Sequence, residues 1–474
     1  MKDSVGKALS TVVLTLLLTA CGERDADPST NGDLLLTGGS TGGISGPGET
    51  TSDGEADTYE IRSTDSVFPY RASSPYGSVL KQCILIGTVA ESCSLTTLPF
   101  IGDGVNQPSI DQIMDRVLVT HNWMGERFEA VIRTAPDDLL NMFSSATAIL
   151  IGSDVRPSFY TALTGAIQID PVYLWSSVDE KGSVSTQEDF RSEFGADLQF
   201  WFLRRIAASD GRSLWPYYSL EDASVRPFDD LRLPLIRLLF HELAHATDFM
   251  PRTQIGALDT SLSAYNAITS IADQWLSPAL ASQFPLQSEA LESFGQVLYQ
   301  GETATSAQNA ATPAQLGQFM ATDGAIQLYS YSTIREDLAQ LVEGVVMAYY
   351  YDSIVNVGFT NKPVDDTNYT CNDLLVGWGQ RNRLADPLVN PRARLATDLV
   401  VNMSPDMIDY LDNTLSDAEL MTQGVHWCDN QTPAVIAASQ PDTRSSELAK
   451  SAESAELFRE KIRVESPVHT QGIQ

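Results

Sequence analysis

A chain of 474 residues has room for one large domain or two smaller ones, and a hydrophobic fraction of 43% is enough for a sizeable core. Its 61 acidic side chains against 30 basic ones leave a net charge of −31. That balance argues against nucleic acid as a partner and against electrostatic docking on anionic lipid.

Residues 1–20 start with Lys2 and Lys7 and continue through an apolar run from Val12 to Leu18. The run is too short for a permanent membrane helix and reads as a signal peptide. It closes on Leu18-Thr19-Ala20-Cys21-Gly22, which resembles the bacterial lipobox. The resemblance implies that Cys21 becomes the lipidated first residue of the mature protein. A lipid bilayer is then an expected partner, each buried methylene contributing about 0.8 kcal/mol. Gly22, in place of an aspartate, resembles the pattern that sends such lipoproteins to the outer membrane of the cell envelope. Residues 21–58 are Gly, Ser, Thr, Asp and Glu with few large apolar side chains, and read as a flexible tether.

From Tyr59 the composition turns globular. Ser78–Leu98 reads as short strands joined by a stapled loop. Ile110–Arg133 has helical periodicity through Ile113, Val117, Phe128 and Val131, interrupted near His121. Residues 148–152 form a short apolar strand. Residues 166–171 alternate and stop at Pro171, as an edge strand does. Phe190–Ala207 reads as a helix. Arg226–Leu233 then leads into a longer helix, with Pro234 in its first turn and Pro251 just past its end. The remaining four cysteines, Cys83, Cys93, Cys371 and Cys428, are even in number and contain no Cys-x-x-Cys pair. In an exported protein they imply two disulfides, and pairing sequence neighbours, Cys83–Cys93 and Cys371–Cys428, closes the cheapest loops.

The helix beyond Pro234 carries His241-Glu242-Leu243-Ala244-His245. Residues four apart share a helix face, so both imidazoles can reach one metal ion. Imidazole suits Zn²⁺, and Glu242 beside the pair is placed to take a proton from water that the ion activates. Asp248 follows on about the same face and can accept the other ring N–H of a ligand histidine. His121 and His426 are isolated and read as structural.

Residues 256–326 read as helices packed behind this site, including Ser261–Leu276 and Ser288–Tyr299. Tyr329–Glu343 opens a second amphipathic helix with a stripe of Leu338, Leu341, Val342, Val345 and Tyr349. Residues 371–428 read as loops and short helices. These boundaries give an N-terminal subdomain at 59–250, a mostly helical C-terminal subdomain at 251–430 and a polar tail at 431–474.

A catalytic zinc takes three protein ligands and leaves a position for water. A third histidine would require glycine at 248 and histidine at 251, where the chain has Asp248 and Pro251. The alternatives are Glu289, Glu292, Glu336 and Glu343. Glu336 lies near the start of the second amphipathic helix, although Thr333-x-x-Glu336 also reads as a capping box.

The His241–Asp248 segment, followed far downstream by Glu336-Asp337-Leu338-Ala339-Gln340, resembles the gluzincin metallopeptidases of the anthrax-lethal-factor type and zinc-binding metallopeptidase lipoproteins of bacteria. The resemblance implies an α+β, zincin-like fold, with a small mixed sheet whose edge strand lies over the active-site helix. It implies one Zn²⁺ held by His241, His245 and Glu336, with Glu242 as general base. A tyrosine about two turns before Glu336, Tyr329 or else Tyr331, would stabilise the oxyanion. The substrate is then a peptide or protein, an extended stretch of which can pair with the strand at Ile167–Ile169. Departures from the pattern are Gln340, where glutamate is common, and the long insert between the two helices. A zinc amidase acting on cell-wall or surface glycopeptide remains an alternative. So does a surface binding lipoprotein whose zinc is structural, closed by Asp248 or a second glutamate.

Overall fold

Two small sheets flank a pair of buried helices in the computed structural model, which describes residues 66–431 except 188, 217, 219, 221–224 and 367–368. The segments expected to be a signal peptide and a tether, Cys21 among them, and nearly all of the polar tail lie outside the described residues. The architecture is α+β.

The first sheet contains β1 (Phe68–Pro69), β2 (Val117–Val119), β3 (Ile149–Ile151), β4 (Phe159–Thr161) and β5 (Ala166–Ile169), in the order β1-β2-β3-β5-β4. The three inner strands run parallel, and β1 and β4 pair antiparallel at the ends. Expectation and structure part here. Ile167 pairs with Ile149 on one side and Tyr160 on the other, so β5 is an inner strand. All four of its residues are buried, and Pro171 ends the strand without marking an edge. The outer strand on this side is β4, which packs against the metal-motif helix and stacks Tyr160 on Phe249, 5.6 Å between ring centres.

Three more expectations change. Within Ser78–Leu98, Leu80–Ile84 is a helical turn, because Leu80, Cys83 and Ile84 fall at helical spacing and are all buried. Within Ile110–Arg133, β2 separates helices at Ile110–Met114 and Asn122–Ile132; buried on both faces, Val117-Leu118-Val119 shows no alternation to reveal it. Phe190–Ala207 is not a helix. Its second half belongs to β6 (Phe200–Ala208), where the bulky run Phe200-Trp201-Phe202-Leu203 suits a pleated, buried surface.

β6 opens the second, antiparallel sheet with β7 (Ser353–Asn361), β8 (Val376–Arg381) and β9 (Glu419–Leu420). β6 and β7 pair from Phe200↔Asn361 to Ala208↔Ser353. A strand from before the metal motif thus shares a sheet with three from well after it, and the C-terminal stretch is not helical alone. The disulfides are Cys83–Cys93 and Cys371–Cys428, with Cα atoms 5.3 and 5.9 Å apart.

The two central helices are the first site helix, Phe228–Phe249, and the second, Ile334–Tyr351. The first begins earlier than its sequence signals indicated. Asp229 and Asp230 occupy its first turn, where the helix dipole favours acids, and Pro234 falls inside the helix. From Pro234 to Phe249 every residue is buried, so this is a core helix with polar groups embedded in it. The second site helix packs along it and is buried from Arg335 to Ala348. Thr333 caps it by accepting the Glu336 backbone N–H at 3.1 Å.

Candidate metal centre

One helical turn brings His241 and His245 onto a common face, with Nε2 atoms 3.2 Å apart. Glu336 arrives from the second site helix. Its Oε2 lies 3.2 Å from His241 Nε2 and its Oε1 3.5 Å from His245 Nε2. A tetrahedral ion with ligands at about 2.0–2.1 Å has ligand–ligand edges of about 3.3–3.4 Å. The two imidazole nitrogens lie about one such edge apart, each ring meets a different oxygen of the Glu336 carboxylate, and one ligand atom from each of the three residues falls within 4.8 Å of the others. The donor set of two imidazoles and one carboxylate suits zinc. The group is able to hold a metal ion, and among the described residues no fourth donor joins it. All three side chains are buried: His241 is 6% exposed, His245 0% and Glu336 2%.

Glu336 therefore has two separate parts. Its backbone N–H meets the cap, while its carboxylate turns toward the histidines instead of completing a capping box. Glu289 and Glu292 are solvent-exposed on another helix, outside this group.

Strong coupling marks the group in the absence of a metal. Burial alone would lower the His241 imidazole, but the hydrogen bond and charge of Glu336, backed by Glu343, raise its pKa to about 10. Burial would likewise raise Glu336; His245 and His241 overrule it and hold the carboxyl well below the usual range. Metal requires a neutral imidazole. Binding at neutral pH is therefore expected to release at least one proton per ion, and affinity to rise about tenfold per pH unit toward pH 10. Calorimetry in buffers of different ionisation enthalpy measures this directly; binding without proton release would contradict the coupling.

Glu242 is 2% exposed, and its charge acts on His241 and on Tyr173. Tyr329 is nearly buried: Arg191 Nη1 donates to its hydroxyl at 3.4 Å, and its ring meets Tyr299 edge-on at 4.8 Å. The Tyr331 hydroxyl instead donates to Asp323 at 3.0 Å. Asp248 is fully buried, and its Oδ1 accepts the backbone N–H groups of Leu276 and Ser277 at 2.8 and 2.7 Å. It thereby caps the helix Ser277–Gln283. Ser153 and Thr120 hydroxyls lie 3.3 and 3.2 Å from His121 Nδ1, and His426 pairs its backbone with Leu375; neither histidine belongs to the metal group.

The structure adds residues that sequence reasoning missed or assigned elsewhere. Glu343 is not at the ligand face; its Oε2 lies 3.4 Å from His241 Nδ1, behind the ring. Arg204 from β6 and Arg237 from the first site helix both pair with it, the latter at 3.1 Å. Gln340 Nε2 also lies 3.4 Å from His241 Nδ1. Spacing carried part of this signal: Arg237 precedes His241 by four residues and Glu343 follows Glu336 by seven, so each shares a face with a ligand. Arg204 gave none, because its segment reads as helix.

No family model, no curated protein and no solved structure matches this chain.

Proposed function

We propose that this chain is a zinc-dependent hydrolase that cleaves peptide bonds, built on a zincin-like pairing of an active-site helix with a small mixed sheet. The observation that carries the reading is the His241–His245–Glu336 group, one ligand atom of each within 4.8 Å of the others, with Glu242 next to His241 in the chain and its charge acting on that ring. Structural zinc sites close with four protein donors, whereas catalytic ones keep a corner for water and substrate. Three donors fit the second kind. Asp248, suggested as a fourth, is not among the grouped donors, and its Oδ1 caps another helix.

Zinc, when bound, supplies Lewis acidity and lowers the pKa of water from 15.7 toward about 7. Glu242 takes the proton of the attacking water and returns it to the amide nitrogen as the carbon–nitrogen bond breaks. Tyr329 donates to the carbonyl oxygen as negative charge grows there, while Arg191 donates to the Tyr329 oxygen. Tyr331 takes no such part, since its hydroxyl is given to Asp323. An extended substrate adds to the first sheet along β4, the end strand against the site helix, in place of the inner β5.

The test incubates the zinc-loaded protein with a peptide library and reads new N-termini by mass spectrometry. Cleavage should stop on chelation and return with zinc while far-ultraviolet circular dichroism stays constant. Cleavage that ignores the chelator, or chelation whose sole effect is unfolding, would contradict the proposal.

The lipobox resemblance supports attachment to the bacterial outer membrane through lipid on Cys21. No helix among the described residues is long and apolar enough to cross a membrane. Cys21→Ser is expected to move the protein from the membrane fraction to the soluble one and to abolish palmitate labelling. Retention of both would remove Cys21 as the anchor.

A further inference from the structure

We infer that Glu343 is a positioning residue for the ligand His241, held in that part by Arg204 and Arg237. The inference rests on the zinc reading of the site. One helix supplies both carboxylates around the His241 ring: Glu336 meets Nε2, and Glu343 meets Nδ1 from behind.

A neutral imidazole has one N–H and one lone pair. An acceptor at Nδ1 draws the N–H there and leaves the Nε2 lone pair for the metal, while fixing the plane of the ring. Glu343 is fully buried, and an isolated carboxylate there would neutralise and could then donate instead of accept. Arg204 donates to its Oε1 and Arg237 to its Oε2, which keeps it ionised and holds its rotamer. Both guanidiniums are themselves buried. Gln340 presents an amide nitrogen to the same Nδ1; that group donates and cannot accept, so the carboxylate is the acceptor. Arg237 and His241 sit one turn apart on one helix, so one of the two guanidiniums is fixed relative to the ligand.

The test compares zinc dissociation constants, by competition with a chromophoric chelator, for full-length wild type, Glu343→Gln and Gln340→Leu. Visible spectra of the cobalt(II)-substituted proteins are recorded in parallel. Glu343→Gln is expected to raise the zinc Kd about 10–100-fold and to shift the cobalt bands, the range known for outer partners of ligand histidines. Gln340→Leu should leave both near wild type. Should Glu343→Gln fail to fold, Arg237→Met combined with Glu343→Gln restores the cluster's net charge and should show the same weakening. Folded Glu343→Gln with wild-type zinc affinity and cobalt spectrum overturns the inference alone, even if it melts earlier. So does weakening confined to Gln340→Leu. A wild type that takes up no zinc overturns the hydrolase reading and this inference together.

Discussion

Glu242→Gln is expected to keep its zinc and to lose about 10²–10⁴-fold in peptide hydrolysis, the usual range for a general base. The substitution changes almost no volume at a position only 2% exposed, so the packing of the first site helix survives. Glu242 is not one of the three grouped donors, so metal content should stay at one ion per chain. What the amide cannot do is accept and return a proton. Zinc content by atomic absorption, with kcat/KM on a peptide identified by library screening, separates the two effects. Hydrolysis at the wild-type rate would remove Glu242 as the base. Loss of zinc along with activity would assign it to the metal.

Glu336→Ala should act in the opposite manner, removing metal before chemistry. The carboxylate is the sole contribution of the second site helix to the donor triangle. Zinc Kd should rise beyond the roughly 100-fold upper range seen for outer partners of ligand histidines. The helix itself should persist, because Thr333 caps it through the backbone N–H of residue 336, which any side chain retains. Without metal the same substitution removes an ion pair whose pH window has a definite sign. His241, raised from 6.5 to about 10, stabilises the fold fully below pH 6.5 and loses that contribution as pH rises through about 10. Glu336, depressed from 4.5, contributes above pH 4.5 and loses it as pH falls. Metal-free wild type and Glu336→Ala should therefore differ most in Tm between roughly pH 4.5 and 6.5 and converge as pH rises from there toward 10. Equal Tm across that range would deny the pair any part in stability, and unchanged zinc affinity would deny Glu336 the ligand role.

The site was more legible in sequence than the fold. Helical spacing placed His241 and His245 on one face, and Thr333-x-x-Glu336 marked the start of the second helix; both are local signals. The disulfides followed from the cheapness of short loops. What failed depended on partners remote in sequence. Strands β2 and β6 are buried on both faces or nearly so, and therefore lack the alternation that distinguishes a strand from a helix. Ile167 reads as an edge residue until β4 is seen folded back beside it. Glu343 stood behind Glu336 as an alternative ligand because both share a face of one helix. Only the packing of the two site helices, with Arg204 arriving from the second sheet, shows one carboxylate at Nε2 and the other at Nδ1. Spacing ranked Tyr329 ahead of Tyr331 without excluding the latter, whose hydroxyl is seen to donate to Asp323 only in the folded chain.

X-ray absorption at the zinc edge of the purified full-length protein bears most directly on the account. One zinc per chain should be found, with two imidazole nitrogens and one carboxylate in its shell, a further light atom completing it, no sulfur, and bond lengths of about 2.0–2.2 Å. A chain that holds no stoichiometric zinc, or a shell with four protein donors and no exchangeable position, would contradict it.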